Sequence, residues 1–242
     1  MTETSEPPAR LTARFGERTQ AVHELTREAI LEGRLEAGQQ VSQLALARQL
    51  GVSRTPLREA LRLLEREGLV RIRGPHRMVQ VSALSMSDLD ELYALRVAIE
   101  PIALRLTVPT LRTADLRALD AELKLIKRTK DERVRRAAHR RFHNNLRTGI
   151  GERMAVMLAT LFEHAERYQR IIVVRGIASS EVKEAEHRAI LGACEAGDGD
   201  LAAKLLVEHM TSTANALMAA ERYAPRALPQ AVAQALARSA GG

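Results

Sequence analysis

Residues 51–70 read GVSRTPLREALRLLEREGLV. Leu57, Leu61 and Leu64 recur at helical spacing, and Gly68 ends the pattern. Ser53 suits an N-cap, and Pro56 suits the first turn, where backbone N–H groups lack intrahelical partners anyway. The stretch is therefore a short amphipathic helix, but its charges oppose the helix dipole. Arg54 and Arg58 stand at the end that favours anions. A partner that brings negative charge would remove the conflict. The two arginines are four residues apart and share a face. Each can fork onto guanine O6 and N7 or clamp a phosphate. Ser53 and Thr55 add hydroxyl donors beside the free N–H groups of the first turn.

The flanking sequence gives this helix its setting. Upstream, residues 17–32 place Val22, Leu25, Ala29 and Ile30 on one helical face, and Gly33 and Gly38 punctuate the stretch after it. Ser42 can cap a short helix to Leu50, with Leu44, Ala47 and Leu50 inward, and Gly51 stops it. Downstream, LVRIRGPHRMVQV (residues 69–81) reads as a hairpin around Gly74-Pro75, with Arg71, Arg73 and Arg77 extending the basic surface. Helix, helix, tight turn, helix and hairpin make a winged helix-turn-helix, whose second turn-flanking helix points its N-terminal turns into the major groove.

Beyond a polar joint at residues 82–87 only helical periods occur. The expected spans are 87–107, 113–130, 131–148, 152–174, 179–196 and 199–222, with Ser87, Thr113, Ser179 and Asp198 as caps. The expected fold is mainly α: an N-terminal winged helix-turn-helix (16–82) followed by an all-α antiparallel helical bundle (87–222). A polar arm (1–15) and an Ala- and Pro-rich tail (223–242) are expected to be flexible.

Composition agrees with that division. The 242 residues allow one large or two modest domains. A net charge of +7 suits a polyanionic partner, although with 28% charged residues of both signs a solvated surface explains it as well. Aromatic residues are only 2% and Trp is absent, so aliphatic side chains must fill the core, which favours helix packing. The lone Cys194 cannot form an intrachain disulfide and fits a reducing compartment. No stretch has the length of a membrane span, and MTETSEPPARLTARFGERTQ lacks an apolar signal core. A cytoplasmic protein with no membrane partner is expected.

The second half carries AHRRFHNNL (138–146), EAEHRAIL (184–191) and VEHM (207–210). His139 and His143, four apart, stack on one helical face, and His187 and His209 come from two later helices. Four imidazoles converging from three helices suit zinc, nickel or a similar borderline metal. The plain alternative is a pair of surface histidines, since Arg140 and Arg141 mark a wet side of that helix.

Two resemblances add to these readings. QAVHELTREAILEGRLEAGQQVSQLALARQLGVSRTPLREALRLLEREGLV places residues 20–81 among sequences similar to the GntR-family winged-helix domain, with GVSRTPLREAL the most specific part. The resemblance implies that Arg54, Thr55 and Arg58 contact operator DNA, with Ser53 a further candidate; Arg77 is a candidate from its place on the basic hairpin. Many members have Asn-Arg-Gly-Ala-x-Val at the wing turn; here Met78 replaces the glycine. Residues 87–219 resemble the FCD domain, the ligand-binding half of the FadR-type branch, through LDELYALRVAIEPIALRL, FHNNL, EHRAIL and EHM. Many FCD domains bind a divalent metal through one Asp and three His. His143, His187 and His209 fall on the His positions, and His139 sits at the Asp position, either replacing that ligand or marking its loss.

Family members commonly bind a small carboxylate there. Arg96 matches an arginine that could face such an effector, or it pairs within the helix with Glu100; Tyr168 and Arg170 are weaker candidates. The resemblance thus implies a homodimeric transcription regulator, expected to be a repressor, that binds double-stranded operator DNA and answers to a small carboxylate near a divalent metal. The alternatives are a metal-dependent hydrolase and a constitutive dimeric DNA-binding protein without effector. Against the hydrolase, the sequence has no HExxH arrangement, nucleophile elbow or Gly-rich phosphate loop.

Overall fold

The structure, a computed structural model, describes residues 9–74, 78–175 and 180–220. The chain divides into two compact units between Leu84 and Ser85. In the first, the elements are α1 (Ala9–Leu31), β1 (Gln40–Ser42), α2 (Gln43–Leu50), α3 (Arg54–Arg66), β2 (Val70–Arg73) and β3 (Met78–Val81). The strands form an antiparallel sheet of order β1-β3-β2, with Val70 opposite Val81 and Ile72 opposite Val79.

The core of this unit is a leucine ridge. Leu57, Ala60, Leu61 and Leu64 of α3 are fully buried against Val22, Ala29 and Ile30 of α1 and against Val70, Val79 and Val81 of the sheet. Burying a leucine contributes roughly 1.5–3 kcal/mol, so the three leucines alone outweigh a mildly unfavourable dipole at the head of α3. His23 Nε2 meets Glu67 Oε1 at 2.7 Å and ties α1 to the end of α3. Gly51, with φ 67°, closes α2 in the left-handed region that a side chain disfavours, and its N–H bonds back to Arg48 O.

Several sequence expectations shift here. Residues 9–15, assigned to the arm, belong to α1: from Ala9 to Phe15 no glycine or proline interrupts good helix formers. The strand β1 was not anticipated, because three residues with one β-branched side chain carry no period; its pairing with β3 creates it. In α2, Leu46 and Ala47 are buried while Leu44 is 45% exposed, because the helix packs on α3 through the 46/47 face. Ser42 caps α2 as expected, accepting from Ala45 N at 3.1 Å. Pro75, His76 and Arg77 of the wing turn lie outside the described residues.

The second unit is all helical: α4 (Met86–Thr107), a 3-10 turn (Val108–Thr110), α5 (Thr113–Arg128), α6 (Glu132–Asn145), α7 (Glu152–Arg175), α8 (Ser180–Glu195) and α9 (Gly199–Ala220). Helix α4 packs on α9 and α7, α5 on α6 and α8, and α8 on α9. Ser85, not Ser87, caps α4, accepting from Asp88 N at 3.1 Å. Arg112 precedes α5, with Asp115 accepting from its N–H at 2.9 Å, so Thr113 is the first helical residue rather than the cap. Asp198 does cap α9, accepting from Leu201 N at 2.8 Å. Ser179 and residues 221–242 lie outside the described residues. Among the described residues no helix is long and apolar enough to cross a membrane.

Between α6 and α7 the chain presses on the end of α4. Gly149 N donates to Thr107 Oγ1 at 3.1 Å, and a Cβ on Gly149 would stand 2.7 Å from Thr107 Cα. That contact is with backbone and cannot be relieved by a rotamer change. Gly149→Ala is expected to destabilise the protein by about 1–3 kcal/mol, the usual range for overpacking. Urea unfolding measures this, and an unchanged midpoint would show that the loop yields freely.

Candidate functional site

The head of α3 presents polar groups that the first unit does not use. Ser53, Arg54, Thr55 and Arg58 are all exposed, on the side opposite Pro56, Leu57, Ala60 and Leu61. Ser53 has N-cap backbone geometry, yet its hydroxyl makes no capping hydrogen bond. Arg54 forms no ion pair among the described residues. Arg58 has only a loose 3.4 Å contact with Glu59, whose carboxylate is taken more closely by Arg62 at 3.1 Å, and 47% of the Arg58 side chain stays exposed. On β2, Arg71 and Arg73 point outward while Val70 and Ile72 point inward. Arg77 lies outside the described residues.

The second unit holds the imidazole cluster. Helix α6 supplies His139 and His143, α8 supplies His187, and α9 supplies His209. His139, His143 and His187 each offer a nitrogen, and these nitrogens lie within 4.8 Å of one another. His143 Nε2 and His187 Nε2 are 3.3 Å apart. The His209 ring lies 4.5 Å from that of His187 and 5.7 Å from that of His143, centre to centre. His143, His187 and His209 are buried, and His139 keeps part of its surface open. Phe142 and Phe162 wall the cluster, Phe162 lying 5.3 Å from His143 and 6.1 Å from His139.

Burial, reinforced by the neighbouring imidazoles and by Arg96, keeps these rings neutral. The His139 value falls to about 3, and those of His143 and His187 lie well below the ordinary histidine value. Burial also lowers His209, although a 2.6 Å contact between its Nδ1 and Glu186 Oε2 pulls the other way. For Glu186, hydrogen bonds from His209 and Lys183 outweigh burial and hold the carboxyl ionised. Neutral imidazoles are the form that binds metal. Two nitrogens each about 2.0–2.1 Å from a tetrahedral ion stand roughly 3.4 Å apart, which the 3.3 Å His143–His187 separation matches.

Arg96 lies beside the cluster on α4, 1% exposed. Its Nε donates to Glu100 Oε1 at 2.5 Å, so the intrahelical pair exists, but its Nη1 is buried with no hydrogen-bond partner among the described residues. The guanidinium stands 4.9 Å over Tyr93 and 5.5 Å over Phe162. On the other flank, Arg147 stands 5.0 Å over Phe162, and a small cavity lies between Glu100, Ala103, His143, Leu146, Arg147 and Leu158. Tyr168 is used otherwise: its hydroxyl donates to Ser85 O or Asp88 Oδ2 and accepts from Ser85 N, securing the start of α4.

Two family models match the chain. Residues 18–77 match the bacterial regulatory proteins of the gntR family, and residues 91–212 match the FCD domain. The chain belongs to the GntR family. A probable D-xylose utilization operon transcriptional repressor of Paenarthrobacter nicotinovorans is 32% identical, over 76% of this chain and 81% of that protein. The HTH-type transcriptional regulator YdhC of Bacillus subtilis is 29% identical, over 68% and 75%. Among solved structures, E. coli McbR/YncC shares the fold with a TM-score of 0.74 at 23% identity, covering 84% of this chain and 98% of that one. This GntR protein is a DNA-binding transcription regulator whose helical half is an FCD domain.

Sequence reasoning placed the four histidines and Arg96 in the FCD domain of this GntR regulator but missed Glu186, Lys183 and Arg147. Glu186 directly precedes His187, yet its partner His209 is 23 residues away on another helix, beyond any local spacing rule. Arg147 comes four residues after His143 on paper, but only packing brings it over Phe162.

The buried imidazoles set a pH dependence. Between the ordinary histidine value of about 6.5 and the depressed native value, the unfolded chain binds more protons than the folded one, so stability falls as pH falls. For the EDTA-treated protein, stability measured by urea unfolding is expected to decline from pH 7 to pH 5, with a limiting slope of roughly 1.4 kcal/mol per pH unit for each such imidazole. The decline should flatten in His143→Gln. Equal slopes in the two proteins would show that the His143 ring does not contribute.

Proposed function

We propose that this regulator is a homodimeric repressor of the cytoplasm whose operator affinity is set by a small carboxylate metabolite bound near a divalent metal in the FCD domain. Ser53, Arg54, Thr55 and Arg58 read and clamp a half-site, with Arg77 as a further DNA-binding candidate. A two-fold protein matches a palindromic operator, one half-site per head. The relative from Paenarthrobacter nicotinovorans, named as a repressor, supports the direction of control.

The observation that carries the sensor half of this reading is the gathering of neutral imidazoles with nitrogens 3.3 Å apart beside a buried guanidinium. His143, His187 and His209 would hold the metal, with His139 as fourth ligand in place of the usual Asp. An all-imidazole set suits zinc or nickel. The ion would supply a Lewis-acidic anchor for a carboxylate, and the unpartnered Nη1 of Arg96 a charge-assisted hydrogen bond. Such a metabolite controls DNA binding only by preferring one of two states of the dimer. We favour this over hydrolysis because the sequence has no HExxH arrangement, nucleophile elbow or Gly-rich phosphate loop to carry that chemistry. It is favoured over constitutive binding because a buried arginine nitrogen without a partner is a group that a ligand completes.

Arg58→Ala is expected to weaken binding to the cognate operator by about 1–3 kcal/mol and to relax base preference at one position per half-site. Unchanged binding in a titration would place α3 differently on DNA. His143→Ala combined with His187→Ala should remove bound metal in elemental analysis while circular dichroism stays helical. Stoichiometric metal in that double variant would move the site elsewhere. Operator titrations with and without hydroxy, sugar and aromatic acids test the sensor role, and affinity that responds to none of them counts against it.

A further inference from the structure

We infer that Glu186, braced by Lys183, is a positioning residue that holds His209 as the Nδ1–H tautomer and so reserves its Nε2 lone pair for the imidazole cluster. This deepens the metal reading above and rests on it only for the affinity measurement below. Glu186 Oε2 lies 2.6 Å from His209 Nδ1. A carboxylate only accepts hydrogen bonds, so the proton sits on Nδ1, and in a neutral ring the lone pair is then on Nε2, across the ring from Glu186. Lys183 Nζ donates to the same Oε2 at 2.8 Å and to Thr213 Oγ1 at 2.9 Å. Thr213 Oγ1 in turn donates to His209 O at 2.9 Å. Lysine, glutamate and threonine thus grip both the ring and the backbone of His209.

The sequence arrangement serves the same end. Glu186 and His187 are neighbours on α8, so one helical turn delivers a ring to the cluster and a carboxylate to the ring contributed by α9. Lys183 lies three residues before Glu186 on the same face. Its ammonium keeps the carboxylate ionised and fixes its direction. In metal sites generally, loss of such a carboxylate behind a ligand histidine costs 10- to 100-fold in metal affinity.

The test uses the full-length protein. Histidine 15N NMR of the EDTA-treated protein, with His209 assigned by comparison with His209→Gln, should show Nδ1–H in the wild type. The Nε2–H form should appear in Glu186→Ala, while Glu186→Gln retains Nδ1–H because its amide oxygen still accepts. Zn2+ competition against a chelator should show a 10- to 100-fold loss for Glu186→Ala and a much smaller one for Glu186→Gln. A purely structural role would lower the unfolding temperature without changing the tautomer. If Glu186→Ala does not fold, Glu186→Gln and Lys183→Met carry the comparison. An Nε2–H wild type, or a Glu186→Ala protein with wild-type tautomer and zinc affinity, overturns the inference. A protein that takes no zinc but shows the expected tautomers supports the role of Glu186 and rejects the metal reading alone.

Discussion

The second unit is organised around the burial of uncharged imidazoles between α6, α8 and α9. Each neutral ring carries one donor and one lone pair, and both need partners when water is excluded. His209 satisfies its donor through Glu186. His143 and His187 face each other through Nε2 at 3.3 Å, an arrangement in which one proton at most can be shared. In the free protein one of the two Nε2 lone pairs accepts that shared proton, and a cation that displaced it would engage both. The walls are chosen to match. In a chain with three phenylalanines and three tyrosines, Phe142, Phe162 and Tyr93 stand around the cluster and Arg96. Flat rings fill the gaps between imidazoles with few rotamers and shut out water.

Charge around the cluster is nearly balanced, with a positive remainder. Glu100 answers Arg96, Glu186 answers Lys183 and Glu166 answers Arg140. Arg147 hydrogen-bonds to the Leu158 carbonyl and the Asn144 amide oxygen, with no ion pair among the described residues. Where the resemblance leads one to expect an aspartate, His139 adds no negative charge. A metal held by imidazoles alone keeps its full double charge, so anionic ligands from outside become more valuable than they would be beside a carboxylate. In the proposed metal site the histidine at residue 139 would bear on what binds to the ion as much as on which ion is bound.

Local signals made the framework legible and left the junctions dark. The ridge of Leu57, Leu61 and Leu64, the hairpin strands and the helical spans of the second half come directly from period and breaker residues. Cap positions moved by one or two residues: Ser85 takes the role expected of Ser87, because helix ends are set by tertiary packing as well as by the local cap residue. Burial in α2 moved from Leu44 to Leu46 for the same reason. The histidines were legible because two share a helical face and the family pattern supplied the others. Glu186 and Lys183 were not, because their task is defined by a ring on a different helix, and Arg147 became visible only through its position over Phe162.

What unites the two units is the kind of group each leaves unspent. Native proteins pair nearly all of their polar groups, so the exceptions carry information. At the head of α3 the Ser53 hydroxyl declines the cap its backbone invites, Arg54 has no ion pair among the described residues, and Arg58 holds Glu59 only loosely at 3.4 Å while Arg62 holds it at 3.1 Å. Inside the FCD domain Arg96 Nη1 has no hydrogen-bond partner among the described residues. Each arrangement departs from what would stabilise the isolated chain: a capped serine, a neutralised helix head, an aliphatic interior. The first set lies on a surface that an extended polyanion can meet, and the second is enclosed. The leucine ridge and the helical packing provide the stability that lets both persist in the free protein.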